Sequence, residues 1–143
     1  MTTLESIIVA LQARLAGIRL ANGYKTDAGA DVRFGWFTRA IADFQEKQML
    51  TIELGDDDPD PHTTNRYSCD QQMVIVYAIR AVDADLSSLT NAQYDIRKAL
   101  LLPTDLHAAV SGISVHQSAC SLTDDARYAF FAQLIVVTYQ TDY

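Results

Sequence analysis

The densest group of chemistry-bearing side chains is Asp56, Asp57, Asp58, Asp60 and His62. Clustered carboxylates suit hard divalent cations, which take oxygen ligands. An EF-hand loop, however, alternates its ligands around a central glycine and closes on a distal glutamate. Here three aspartates are consecutive, and Pro59 and Pro61 stiffen the segment. Residues 56–65 therefore read as a solvated acidic loop. The rival use is a small divalent-metal-dependent enzyme or metal-binding module on residues 56–62. His62, His107 and His116 show neither HxH nor HExxH spacing, and two cysteines are too few for the usual structural zinc set. Ser118-Ala119-Cys120-Ser121 holds two kinds of nucleophile, but no GxSxG elbow or local base accompanies it. No glycine-rich loop matches a nucleotide fingerprint. No catalytic residue, metal ligand or cofactor is expected.

Composition narrows the partners. The 143 residues suit one domain, residues 1–143, and 49% hydrophobic content supplies a core. Charged residues make up 20%, which argues against global disorder. The net charge of −7 argues against a nucleic-acid groove, because phosphate binding needs clustered Lys and Arg. The acidity serves solubility or repels phosphate. Residues 1–17 are amphipathic rather than a basic segment followed by an apolar one, so no secretory signal is read. No run reaches the roughly 20 apolar residues of a membrane span, so no membrane partner is expected. Cys69 and Cys120 lack CxxC spacing, fit a reducing compartment and are expected as buried thiols in strands. Trp36, Phe37 and Phe44 are expected to pack in a core or interface rather than to stack on bases.

The elements that must position these groups follow from periodicity. Leu4, Ile7, Ile8, Leu11, Leu15 and Ile18 form one apolar stripe, which predicts a helix over residues 3–18 capped by Thr2 or Thr3. Strands are expected at residues 31–37 and from Leu50 to Leu54, ending at Gly55, with a loop over 38–47. The third strand places Tyr67, Cys69, Met73, Ile75, Tyr77 and Ile79 on one face. A second helix is expected over residues 84–101, capped by Asp83 or Asp85, with Leu86, Leu89, Ile96 and Leu100 on one face and Pro103 stopping it. Strands follow at 110–122 and 126–141, joined by a turn at Asp124-Asp125. The last strand is apolar on both faces, so it is expected to be central and covered on both sides, by helices or by a neighbouring subunit. The order α-β-β-β-α-β-β predicts an α+β fold: a mostly antiparallel sheet with two helices packed on one face.

One segment stands apart. Gly23-Tyr24-Lys25-Thr26-Asp27-Ala28-Gly29, followed by Val32 and Gly35, places glycines where a backbone takes φ > 0 or approaches another chain closely. It reads as a shaped turn feeding a strand. With an N-terminal helix before it, the pattern G-Y-x-T-D-x-G-x-x-V-x-x-G resembles small tail proteins of long-tailed bacteriophages. Asp95-Ile96-Arg97-Lys98-Ala99-Leu100 resembles the end of the second helix in the same proteins. The likeness runs over most of the chain, although Gln45-Glu46-Lys47-Gln48 fills a stretch that is shorter in that pattern.

The best-understood members are tail terminators. The resemblance implies a non-enzymatic homo-oligomeric ring, usually a hexamer, in the tail-neck region of a virion assembled in the bacterial cytoplasm. Such a ring meets the tail tube protein on one side and a head-completion or connector protein on the other, and DNA passes through without specific binding. Asp56, Asp57, Asp58 and Asp60 are expected to line its lumen. The resemblance carries no functional residue across. A monomeric α+β binding module is the remaining alternative.

Overall fold

The computed structural model describes residues 1–61 and 65–143. Helix α1 (Thr3–Ala16) opens on a reciprocal cap. The Thr2 hydroxyl accepts from the Glu5 amide at 3.2 Å, and the Glu5 carboxylate accepts from the Thr2 amide at 2.6 Å. Both are amides that a helix start otherwise leaves unpaired. Behind the cap, Ile7, Leu11, Leu15 and Ile18 are fully buried.

The chain then passes through short 3-10 turns at Leu20–Asn22 and Ala28–Ala30. It continues through β1 (Val32–Phe34), α2 (Phe37–Ala42), β2 (Gln48–Pro61), β3 (Arg66–Arg80), α3 (Leu86–Leu100), β4 (Val110–Leu122) and β5 (Tyr128–Asp142). The strands form one sheet in the order β1-β2-β3-β5-β4. β1 runs parallel to β2, and the other three pairings are antiparallel. The α+β fold with a mostly antiparallel sheet is therefore as expected.

Side-chain alternation sorts the two faces. Cys69, Met73, Ile75, Tyr77 and Ile79 of β3 join Phe131, Ile135, Val137 and Tyr139 of β5 in the core with α1 and α3. The other face carries α2, whose Phe37, Ala40 and Ile41 pack on Phe44, Met49, Ala78 and Tyr128. Helices thus occupy both faces, not one. β5 is interior, as its composition implied. Beyond α2, its outward Ala132, Leu134 and Val136 are only half-buried.

Several boundaries differ from the sequence reading. Residues 38–47 are not all loop, because most of α2 lies there. Phe37, Ala40 and Ile41 have helical spacing, but six residues are too few for a period to stand out. The first strand is only three residues long, because Gly35 takes φ 142° and leads the chain out of the sheet. β2 does not end at Gly55. The 15-residue β3 offers a template, and pairing continues from Asp57↔Gln71 to Pro61↔Tyr67. Leu86 does not share the buried face of α3. As its first residue it is 82% exposed, at the edge of the stripe set by Ala92, Ile96 and Ala99.

Candidate interaction surfaces

The two motifs that stood out in the sequence meet in space. Asp95 lies on the inward side of α3 and is fully buried. Its carboxylate accepts from the Lys25 amide at 3.0 and 3.1 Å and from the Thr26 hydroxyl at 2.7 Å. A buried carboxylate needs such partners, because leaving water costs it several kcal/mol. Around it, Lys25 Nζ lies 4.4 Å from the Tyr94 ring centroid and Lys98 Nζ 5.0 Å from that of Tyr24. Asp27 closes the turn on itself, accepting from the Leu20 amide at 2.9 Å and pairing with Arg19. Gly23 takes φ 85°, a left-handed value that favours glycine. Gly29 serves the other purpose: a Cβ there would lie 2.2 Å from the Leu15 carbonyl oxygen, so α1 can approach only a glycine. The segment is a clasp between α1 and α3. The sequence did carry a signal for it, since an acid among Ala92, Ile96 and Ala99 requires a partner.

The acidic residues lie elsewhere. Asp56, Asp57, Asp58 and Asp60 belong to the outer half of β2, not to a flexible loop, and every residue from 55 to 61 is exposed. A β-bulge between Leu54 and Asp57 sets their register. Gln71, 4% exposed, closes that bulge by donating to the carbonyls of Gly55 and Asp56 at 3.0 and 3.3 Å. β1 pairs only with Leu50, Thr51 and Ile52, so the outer half of β2 is an edge. Aspartates and prolines on an edge resist the addition of another strand. Asp70 of β3, opposite Asp58, adds a carboxylate beside them.

Asp56, Asp57, Asp58 and Asp70 line a hollow of about 480 Å3 with His116. Yet among the described residues no three His, Cys, Asp or Glu side chains are arranged to hold a metal ion. His62 lies outside the described residues. His107 accepts from the Ala109 amide through Nδ1 at 3.0 Å and shapes the turn before β4. Ser118 Oγ is hydrogen-bonded to Arg97, which also donates to the Oε1 of buried Gln133 at 3.0 Å. Gln133 in turn donates to the His116 carbonyl at 2.7 Å, across the β4 bulge between Val115 and Ser118. The sequence showed no sign of this arrangement, because a glutamine in an apolar strand looks like an interruption.

Cys69 is buried, but Cys120 is exposed, contrary to expectation, because β4 is the outermost strand. Both are free thiols. Of the three aromatic residues expected to be packed, Phe44 is buried and Phe37 lies against it, whereas Trp36 is 62% exposed. No described helix is long and apolar enough to cross a membrane.

No protein-family model matches this chain, and no curated protein matches it. Its architecture does have a solved counterpart. A chain of the virion of a native gene transfer agent (GTA) particle superposes with a TM-score of 0.61. The match covers 94% of this chain and 98% of that one at 15% identity. At that identity the likeness is one of fold.

Proposed function

We propose that this chain is a structural virion protein that assembles into a ring on the end of a tail tube. Its mechanism is geometric. One ring face fits the last tube ring, and the other is different, so polymerisation stops there and a head-completion or connector protein can join. The likeness of fold to a virion chain over nearly the whole length is the observation that carries this reading. The meeting of the two phage-tail-like segments at Asp95 supports it, since both serve one structural joint. A hexamer is the ring size implied by the resemblance, and the tail-neck region of a virion assembled in bacterial cytoplasm is its place.

In such a ring, the strand carrying Asp56, Asp57, Asp58 and Asp60 can take one of two positions. It can line the channel, where carboxylates repel DNA phosphate and let the genome pass. Or it can meet a cationic surface of the next subunit. The test of the function is tube capping. Purified chain is added to tail tubes growing from their subunits, and the tubes are imaged by negative-stain electron microscopy. The expected result is arrested growth with ring density at one end. Continued elongation with bare ends would overturn the reading.

A further inference from the structure

Among the described residues four ion pairs join basic to acidic side chains: Arg19–Asp27, Arg33–Asp31, Arg66–Asp142 and Arg80–Asp83. Lys25, Arg97 and Lys98 belong to none of them. These three cations gather at the outer surface of α3, in a chain whose net charge is −7. Tyr94, Arg97, Lys98, Leu101 and Leu102 line a groove there of about 630 Å3. Tyr94 is 52% and Leu101 59% exposed, so the floor is partly apolar. Asp95, the nearest carboxylate on the helix, is turned inward and consumed by the clasp. The groove is therefore a cationic, aromatic surface with no carboxylate of its own against it.

We propose that this groove receives the acidic outer half of β2 from a second copy of the chain. The proposal rests on the ring reading above and names its subunit contact. Charge selects this occupant: Asp56, Asp57, Asp58, Asp60 and Asp70 cluster on one arm, and unlike potentials steer and orient association. Shape agrees, because both faces of residues 55–61 are exposed and so available to a neighbour. Pro59 and Pro61 lack the N–H groups that strand addition needs, so this edge docks through side chains rather than by extending a sheet. The patch around Arg33, Arg39 and Trp36 is a weaker receiver, since Asp31 and Asp43 offset its cations. Arm and groove are different surfaces of one chain. A contact between them is head-to-tail and closes into a ring when its rotation permits, unlike a two-fold dimer. It places the acidic arm between subunits rather than in the channel.

The experiment uses the full chain in sedimentation velocity over a concentration series at low and high salt. The paired reversal Lys25→Glu with Lys98→Glu is expected to weaken self-association about tenfold or more. Mixing it with Asp58→Lys, Asp60→Lys protein is expected to restore association. Circular dichroism checks that both variants fold, and the milder Lys98→Gln replaces the reversal if they do not. A carbodiimide cross-link between isotopically distinct copies is expected to join Asp58 or Asp60 to Lys25 or Lys98. Association that ignores the reversal, or cross-links confined to other residues, overturns this contact and leaves the ring standing. Absence of association up to roughly 1 mM also overturns it. Tube capping then decides the ring reading separately.

Discussion

The Asp95 carboxylate accepts a 2.7 Å hydrogen bond from the Thr26 hydroxyl across 69 positions of chain, and so joins α3 to the turn that follows α1. Removing the carboxylate takes the acceptor from the part-buried Lys25 amide and from the Thr26 hydroxyl proton, while the hydroxyl oxygen still accepts from the Ala28 amide at 3.3 Å. Asp95→Ala is expected to cost about 3 kcal/mol, and Thr26→Val about 1–2 kcal/mol. Because the groups touch, their double-mutant cycle should return a coupling of about 1–2 kcal/mol. Urea unfolding measures it. A coupling near zero would show that the two act independently.

Gly29 and Gly23 separate two uses of glycine. A Cβ at Gly29 meets backbone at 2.2 Å, whereas at Gly23 nothing lies within 4 Å and only the φ of 85° is unfavourable. Gly29→Ala should therefore cost about 3 kcal/mol, as overpacking against a backbone that cannot yield. Gly23→Ala should cost about 1 kcal/mol, and Gly23→Asn less, because Asn tolerates the left-handed region. Thermal unfolding of the three variants checks the order.

The Tyr128 hydroxyl donates to the Phe44 carbonyl at 2.7 Å beneath α2. Tyr128→Phe leaves that carbonyl buried and unpaired, at a cost of about 1–3 kcal/mol. So short a helix depends on its packing, and amide exchange should accelerate first in residues 40–44. Acceleration spread evenly over the sheet would argue against a local anchor.

Acid should weaken the fold through one helix cap and one turn. The Ser88 amide, then its side chain, holds the Asp85 carboxyl below its usual range, and the Arg127 amide, then the Thr123 hydroxyl, does the same for Asp125. A pKa lowered by folding gives stability that is present above the ordinary carboxylate value, about pH 4, and lost as pH falls through the lowered one. The two sites are exposed, so each effect is small. Replacing both with Asn should flatten the acid limb of melting temperature against pH. An unchanged limb would assign the acid sensitivity to other carboxylates.

Much of the scaffold was legible because local periodicity and local burial coincide. The stripe of α1, the alternation of β3 and the bounds of β4 all follow from residues within a few positions of each other, and of the cap pairs Thr2 or Thr3 and Asp83 or Asp85 the structure uses Thr2 and Asp85. The acidic segment was not legible as strand. Aspartate and proline have low strand propensity, and only the template of β3 holds them extended. Cys120 looked buried because alternation cannot tell an edge strand from an interior one.

The sequence by itself determined the α+β class and the glycine-shaped turn and narrowed each cap to two residues, because these depend on neighbours along the chain. It also set the excess of carboxylates and the positions of the unpaired lysines. Only the tertiary structure decided that Asp95 would meet Lys25 and Thr26, that α2 would cover the second face, and that the carboxylates would stand on an exposed edge apart from the cationic groove. Those relations join residues far apart in the chain. They exist only once sheet order and helix packing bring the residues together, and no local pattern encodes that distance.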